Sequence, residues 1–504
     1  MDKRIYLKSY EENVIKIDNK DTILIIGTTQ NNCILIRIII NENLYYENLF
    51  NNIEYNNILL SIKKNNCKFD FNDNKNELYF KYYSISFLEK ELILLRKNNE
   101  NDKFIIVNEK TVKLLYNFNK KYKTNITDNN SIILNNITMS NEGFKELCNI
   151  NLKVNVLVLI NNIILNINKL NLKSFVDLQK LHITYNNIEN LQLFNNITFN
   201  HLKKLVLSHN KINDISNFNK IITKNIEIIL LNNNNIVDIK VLEKINFENL
   251  IKLDLSNNNI NNISSLENTN LNKLINLDLS NNSIYDISIL ENTNLDSLEA
   301  FDLSFNKIEK IIIKKLLSLS QLKYLYIQNN QIKQISIIGR IQLNKLKVVN
   351  LSNNQIREIN IAKSQKLNEL KKLDLSSNSI KNISFFEDIE LKKLKILLLN
   401  NNKISNIDIL GEMNIKKISV LNLSMNNITD IKILKDIYLK NLITLNLDKN
   451  CIQNLKILEK LDIPNIECLS IYNNSIDYTI QKNIDINNNL NISSFSYPFY
   501  LDNP

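Results

Sequence analysis

The chain is poor in residues that break or bend a backbone. It has four glycines, three prolines and no tryptophan, and only two alanines, Ala300 and Ala362. The glycines, at 27, 143, 339 and 411, lie far apart. No glycine-rich loop can therefore cradle a phosphate, and no strained nucleophile elbow can form. His182, His201 and His209 are the only histidines, and none shares a metal-ligand spacing with cysteine. The five cysteines, Cys33, Cys67, Cys148, Cys451 and Cys468, are scattered and odd in number. That usage favours a reducing, intracellular (cytoplasmic) setting. No apolar run approaches the length of a membrane span, and the first residues lack the apolar core of a signal peptide. These absences leave no catalytic, cofactor or metal constellation and point to a non-enzymatic protein.

Charge carries little further information. Lys and Arg number 62 against 52 Asp and Glu, a net charge of +10. Both signs are interspersed, and Lys371-Lys372 and Lys392-Lys393 stand beside acidic residues. Phosphate binding needs clustered cations, so the pattern argues against a nucleic-acid partner. Folding could still gather cations in the N-terminal region. Asparagine makes up about a fifth of the chain. Asn, Ile and Lys have AT-rich codons, whereas Gly, Pro and Ala have GC-rich ones, which points to an AT-rich genome. Asn alternates with Ile and Leu, against a disordered low-complexity reading.

The dominant feature is a ladder of fourteen asparagines spaced 24 residues apart: Asn162, Asn186, Asn210, Asn234, Asn258, Asn282, Asn306, Asn330, Asn354, Asn378, Asn402, Asn426, Asn450 and Asn474. Around each recurs one pattern, clearest as Leu250-Ile-Lys-Leu253-Asp-Leu255-Ser-Asn-Asn258-Asn-Ile260. A fixed period in this range is the mark of a solenoid, a long surface with few deep pockets. Leu253 and Leu255 alternate with outward residues at the period of a strand. A ladder Asn carries one acceptor and two donors for the backbone groups that the following bend leaves unpaired. The path through Ile263, Leu266 and Leu271 is expected to be wider than a strand, which puts the sheet on the inner side of a curve.

The pattern resembles leucine-rich repeats, over residues 154–476. The Ile-x-x-Ile-x-x-Leu tail of Ile260, Ile263 and Leu266 resembles the subclass of phosphatase-1 regulatory subunits and bacterial internalins, with two residues more per turn. Period and composition also resemble the leucine-rich-repeat gene family of insect poxviruses, which would put the chain in a host cytoplasm. The resemblance implies an α/β fold: a curved horseshoe solenoid with a parallel concave β-sheet. Residues 1–125 lack the repeat and read as a small α+β domain. Residues 22–27 with 33–40, and 68–85, form hairpins; 42–64, 87–96 and 109–122 read as helices, with a strand at 104–107. Residues 126–153 and 477–504 read as N- and C-terminal caps.

Candidate binding residues lie on outward strand positions. Asp254, Asp278 and Asp302 fall on consecutive strands, three like charges about 5 Å apart. Beside them stand Phe305, Tyr324 and Tyr326 as an exposed aromatic cluster, and Lys252 in the neighbouring column. Aromatics next to charges that want a counterpart suit a protein-binding hot spot. The bland alternative is that Leu-Asp-Leu-Ser is a soluble default of such repeats. The expected function is a non-catalytic scaffold that binds a protein partner on the concave face. Two alternatives are a regulatory subunit of a protein phosphatase and a ligand or nucleic-acid activity in residues 1–125. Lys244-Ile-Asn-Phe247 and Lys381-Asn-Ile-Ser-Phe385 loosely fit a phosphatase-1 docking segment, but Phe247 and Ile383 occupy core positions of the repeat.

Overall fold

The computed structural model describes the strands of residues 7–98 named below, residues 109–124 and 126, and then 131–475 save for 151–153, 165–171, 173–174, 176, 195–196, 198, 314–316, 338–340 and 362–364. The chain divides into two compact units, Met1–Leu178 and Gln179–Pro504. The proposed C-terminal cap, residues 477–504, lies outside the described residues.

In the first unit seven strands form one antiparallel sheet: β1 (Leu7–Ile17), β2 (Lys20–Thr29), β3 (Ile34–Asn41), β4 (Leu44–Phe50), β5 (Cys67–Asn72), β6 (Glu77–Tyr83) and β7 (Glu89–Asn98). Their order is β1-β2-β3-β4-β7-β6-β5. The two expected hairpins are β2–β3, with Ile25 opposite Arg37, and β5–β6, with Asn72 opposite Glu77. Two helix expectations are wrong. Residues 44–50 form a strand paired with β3 and β7, and 89–98 form a strand between β4 and β6; residues 51–64 of the first expected helix lie outside the described residues. Short apolar runs such as Leu92-Ile-Leu-Leu95 suit a buried strand as well as a helix, and pairing on both sides decides for the strand. The strand expected at 104–107 lies outside the described residues.

The expected helix at 109–122 is present as Glu109–Tyr122. A second helix, Asn141–Cys148, starts at Ser140, whose Oγ accepts from Gly143 N at 3.1 Å, a normal N-cap. A Cβ at Gly143 would lie 2.7 Å from Met139 and 2.8 Å from Tyr122, so only glycine lets these elements approach. Strands Ser131–Asn135 and Val156–Ile160 pair in parallel. Asn162 Nδ2 donates to Leu134 O at 2.8 Å and its Oδ1 accepts from Ile137 N at 2.9 Å. This is the ladder's bonding pattern in its first copy.

In the second unit each 24-residue turn contributes one short strand to a parallel sheet, from Lys180–Thr184 to Cys468–Ser470. In the turn of Asn258, Leu253 and Leu255 point inward and are fully buried. The chain then bends, runs through a 3-10 turn at Ser264–Asn268 and returns through buried Leu271 and Leu274. One turn alone cannot bury these leucines; its neighbours supply the missing walls.

The bend is built the same way each time. Asn258 Nδ2 donates to Leu255 O at 3.0 Å and Ser256 O at 3.1 Å in its own turn, and to Leu231 O at 3.1 Å in the turn before. Its Oδ1 accepts from Ile236 N at 3.0 Å, also in the turn before. Asn282 and Asn426 repeat the set. The residue just before each ladder Asn is left-handed, with φ between 50 and 59°. Asparagine tolerates that conformation and fills most of these positions. Tyr185, His209, Phe305, Ser377, Met425 and Lys449 fill the others, each bearing strain of about 1 kcal/mol.

The face opposite the sheet is not uniform. Most turns carry 3-10 segments such as Lys240–Lys244 and Ser384–Asp388. Three consecutive turns instead carry strands, Lys310–Ile313, Gln334–Ile337 and Glu358–Ile361, which form their own parallel sheet. The sequence reading of a path wider than a strand does not extend to these three turns.

Candidate protein-binding face

Strand register brings the candidate residues together. Asp254 faces Asp278, Asp278 faces Asp302, and Asp302 faces Tyr326, followed by Asn350 and Asp374. Adjacent members are one strand spacing apart, about 4.8 Å. Two residues earlier, Lys252, Asn276, Ala300 and Tyr324 form a parallel column. Phe305 stands at the edge, 54% exposed and left-handed. Tyr324 and Tyr326 are half-buried, so the expected exposed aromatic cluster reduces to one exposed ring and two tyrosines sunk into the sheet surface.

Each aspartate bonds within its own strand. Asp278 Oδ1 accepts from Ser280 N at 2.9 Å and Ser280 Oγ at 2.7 Å. Asp254 does the same with Ser256, and Asp302 with Ser304. Burial pushes the Asp278 carboxyl above its usual range; the Ser280 bonds pull it down, and Asp254 and Asp302 push it further up. Asp302 is raised for the same reasons, burial first, with Asp254 adding to the rise. The Tyr326 hydroxyl is raised by burial and by the charge of Asp302.

The same register shows what the fold itself needs. Asn422 Oδ1 accepts from Ser424 N at 3.1 Å and Ser424 Oγ at 2.8 Å, the bonds that aspartate makes elsewhere. Asn350 accepts from Ser352 N at 3.0 Å. An uncharged acceptor therefore suffices. A raised carboxylate binds its proton more tightly in the folded than in the unfolded chain, so its contribution to stability falls as pH rises through the raised pKa. Asp278→Asn is thus expected to raise Tm at pH 7. The gain should fade as pH is lowered towards the ordinary carboxylate range near 4, which melts at a series of pH values would show.

Further along the bend, Tyr185 stacks on His209 with centroids 4.3 Å apart and planes at 12°. Each directly precedes a ladder Asn, but nothing in the one-dimensional pattern foretells the stack. Burial and the charge of Lys204 depress His182. Phe247 and Ile383, within the docking-like segments, are each 1% exposed, so neither segment is free as an extended peptide. Among the described residues no group of three or more His, Cys, Asp and Glu could hold a metal ion. Among the same residues no helix is long and apolar enough to cross a membrane.

Residues 320–364 match the family described as leucine-rich repeats in two copies. The search of curated proteins gives no match. Similar solved structures include an internalin of Listeria monocytogenes, at 23% identity and a TM-score of 0.42, covering 72% of this chain and 87% of that one. A plant peptide hormone receptor in complex with its peptide is 20% identical with a TM-score of 0.49, covering 70% of this chain and 61% of the receptor. The Drosophila Toll–Spatzle complex is 15% identical with a TM-score of 0.48, covering 81% and 59%. The unit matched over residues 320–364 continues with the same register and the same asparagine bonds through the second unit, and the chain carries leucine-rich repeats.

Proposed function

We propose that the second unit is a non-catalytic scaffold whose sheet face binds a protein partner at Asp254, Asp278, Asp302, Tyr324 and Tyr326, with Lys252 and Phe305 at the margins. One observation carries this reading. The aspartates occupy positions where Asn350 and Asn422 supply the bonding the fold needs, yet three carboxylates stand side by side at an electrostatic cost. A partner presenting Lys or Arg would offset that cost, and the two half-buried tyrosines would give it apolar area at little loss of side-chain freedom. The repeat tail supports a subclass like that of phosphatase-1 regulatory subunits and internalins, and the scattered cysteines support an intracellular setting.

The test is the triple variant Asp278→Lys, Asp302→Lys, Tyr324→Ala, compared with wild type by co-purification and mass spectrometry. The variant is expected to keep its circular dichroism and to lose about tenfold or more of the bound partner. Undiminished capture would remove the sheet face from consideration.

A further inference from the structure

Just before each strand of the main sheet, one apolar residue pins the chain to the core. Leu346, Leu370, Leu394 and Ile418 do so in four consecutive turns and are buried. The residue after this anchor forms a column along the edge of the sheet. Lys347 N donates to Lys323 O at 2.8 Å, Lys371 N to Lys347 O at 2.8 Å and Lys395 N to Lys371 O at 2.9 Å. Four lysines therefore stand in successive turns, about 4.8 Å apart. Where a glutamate is next in this column, a lysine pairs with it, as Lys203 does with Glu227 at 2.9 Å and Lys323 with Glu299 at 2.7 Å. Lys347 and Lys371 have only lysines on either side, and Lys395 has Lys371 and Ser419. Ile251, Ile275 and Ile443 fill the column elsewhere. The fold thus needs no cation there, and the like charges stand together at a cost.

Neighbouring columns widen the strip. Residues 343–348, 367–372, 391–396 and 415–420 together hold nine lysines and one glutamate. The six segments before them at the same register, from 199–204 to 319–324, hold six lysines and four acidic residues. The concentration is therefore local and does not follow from a general lysine excess. The one acid, Glu369, accepts a bond from Lys393. That bond first, and then the charges of Lys393, Lys347 and Lys371, hold its carboxyl below the usual range. Lys392 pairs with Glu390 at 3.0 Å. Among the described residues, Lys347, Lys371, Lys372, Lys395, Lys416 and Lys417 make no ion pair. Along the chain these lysines are interspersed with acids, but the register gathers them into the clustered cations that phosphate binding needs.

We propose that this lysine strip binds the phosphate backbone of a nucleic-acid duplex. None of the exposed large apolar residues lies in its four segments, and none of their residues is aromatic. A protein hot spot or a membrane-inserting face would need an apolar anchor, and the bases of a single strand would need a stacking platform. A duplex needs neither, because lysine and asparagine reach phosphates by charge and by donated hydrogen bonds. It carries one charge per about 1.7 Å of axis, or about eight along the roughly 14 Å of the strip.

The test is the anisotropy of a labelled DNA duplex of about twenty base pairs titrated with the full-length chain at about 50 and 200 mM salt. Wild type is expected to bind and to lose roughly 10²–10³-fold in affinity between the two. Lys347→Gln, Lys371→Gln and Lys395→Gln together should weaken binding about tenfold or more and flatten the slope of log affinity against log salt by about 2–3. Lys371→Gln alone should flatten it by about 0.9 and serves if the triple variant does not fold. Lys211→Gln, Lys307→Gln and Lys403→Gln remove the same charge from exposed sites elsewhere and should change affinity less than about twofold. No binding at the lower salt, an unweakened strip variant, or equal losses in the two triple variants would overturn the proposal. So would tighter binding to polyglutamate or to phosphatidylserine vesicles, which would assign the strip to an acidic protein or a membrane.

Discussion

Asn258→Leu is expected to destabilise the second unit by roughly 2–4 kcal/mol. The side chain makes four bonds to backbone groups, but they are not equally replaceable. Leu231 O keeps Asn234 Nδ2, Leu255 O keeps Asn282 Nδ2, and Ser256 O keeps Asn233 N. The N–H of Ile236 has Asn258 Oδ1 as its acceptor, and leucine offers it none. The cost is therefore one buried donor stranded without water, about 1–3 kcal/mol, plus the loss of three shared bonds. Asn259→Leu, one residue on and exposed, should stay within about 0.5 kcal/mol. Urea unfolding of the pair isolates the ladder from asparagine content in general, and equal midpoints would refute the assignment.

Leu266→Ala is expected to cost about 3–5 kcal/mol. The side chain is fully buried among neighbouring turns, and a solenoid can collapse around a missing one only from two sides. The effect should also be local in a telling way. Stability in such arrays is a sum over turns and their interfaces, so a weak turn near the middle should split one unfolding transition into two. Calorimetry that found a single transition of unchanged midpoint would count against both parts of this expectation.

Much of the second unit was legible because its period is an integer. A spacing of 24 held from Asn162 to Asn474 fixes which residues face one another, and Asp254, Asp278, Asp302 and Tyr326 stand in that register. The charge column could therefore be written down before any coordinates. Three things could not. Leu44–Phe50 and Glu89–Asn98 have apolar residues compatible with helix or strand, and only their partners across the sheet decide. The half-burial of Tyr324 and Tyr326 depends on neighbouring side chains that a column of letters does not measure. The strands at Lys310–Ile313, Gln334–Ile337 and Glu358–Ile361 replace the 3-10 form of most turns, although the apolar pattern of their turns does not set them apart.

The asparagine bonds all run one way: each side chain serves its own turn and the turn before it. Excise a whole 24-residue unit, and the flanking turns meet with every donor and acceptor again opposite its counterpart. Excise 23, and the strand's in-and-out alternation inverts while the amide of the next ladder Asn swings away from the carbonyls it serves. The array's length is consequently quantised. A gene of this kind can gain or lose surface in steps of one turn through recombination between segments of equal length and pattern, sliding the acidic column relative to the rest without rebuilding the fold, whereas single-codon slippage inside a turn is punished at once.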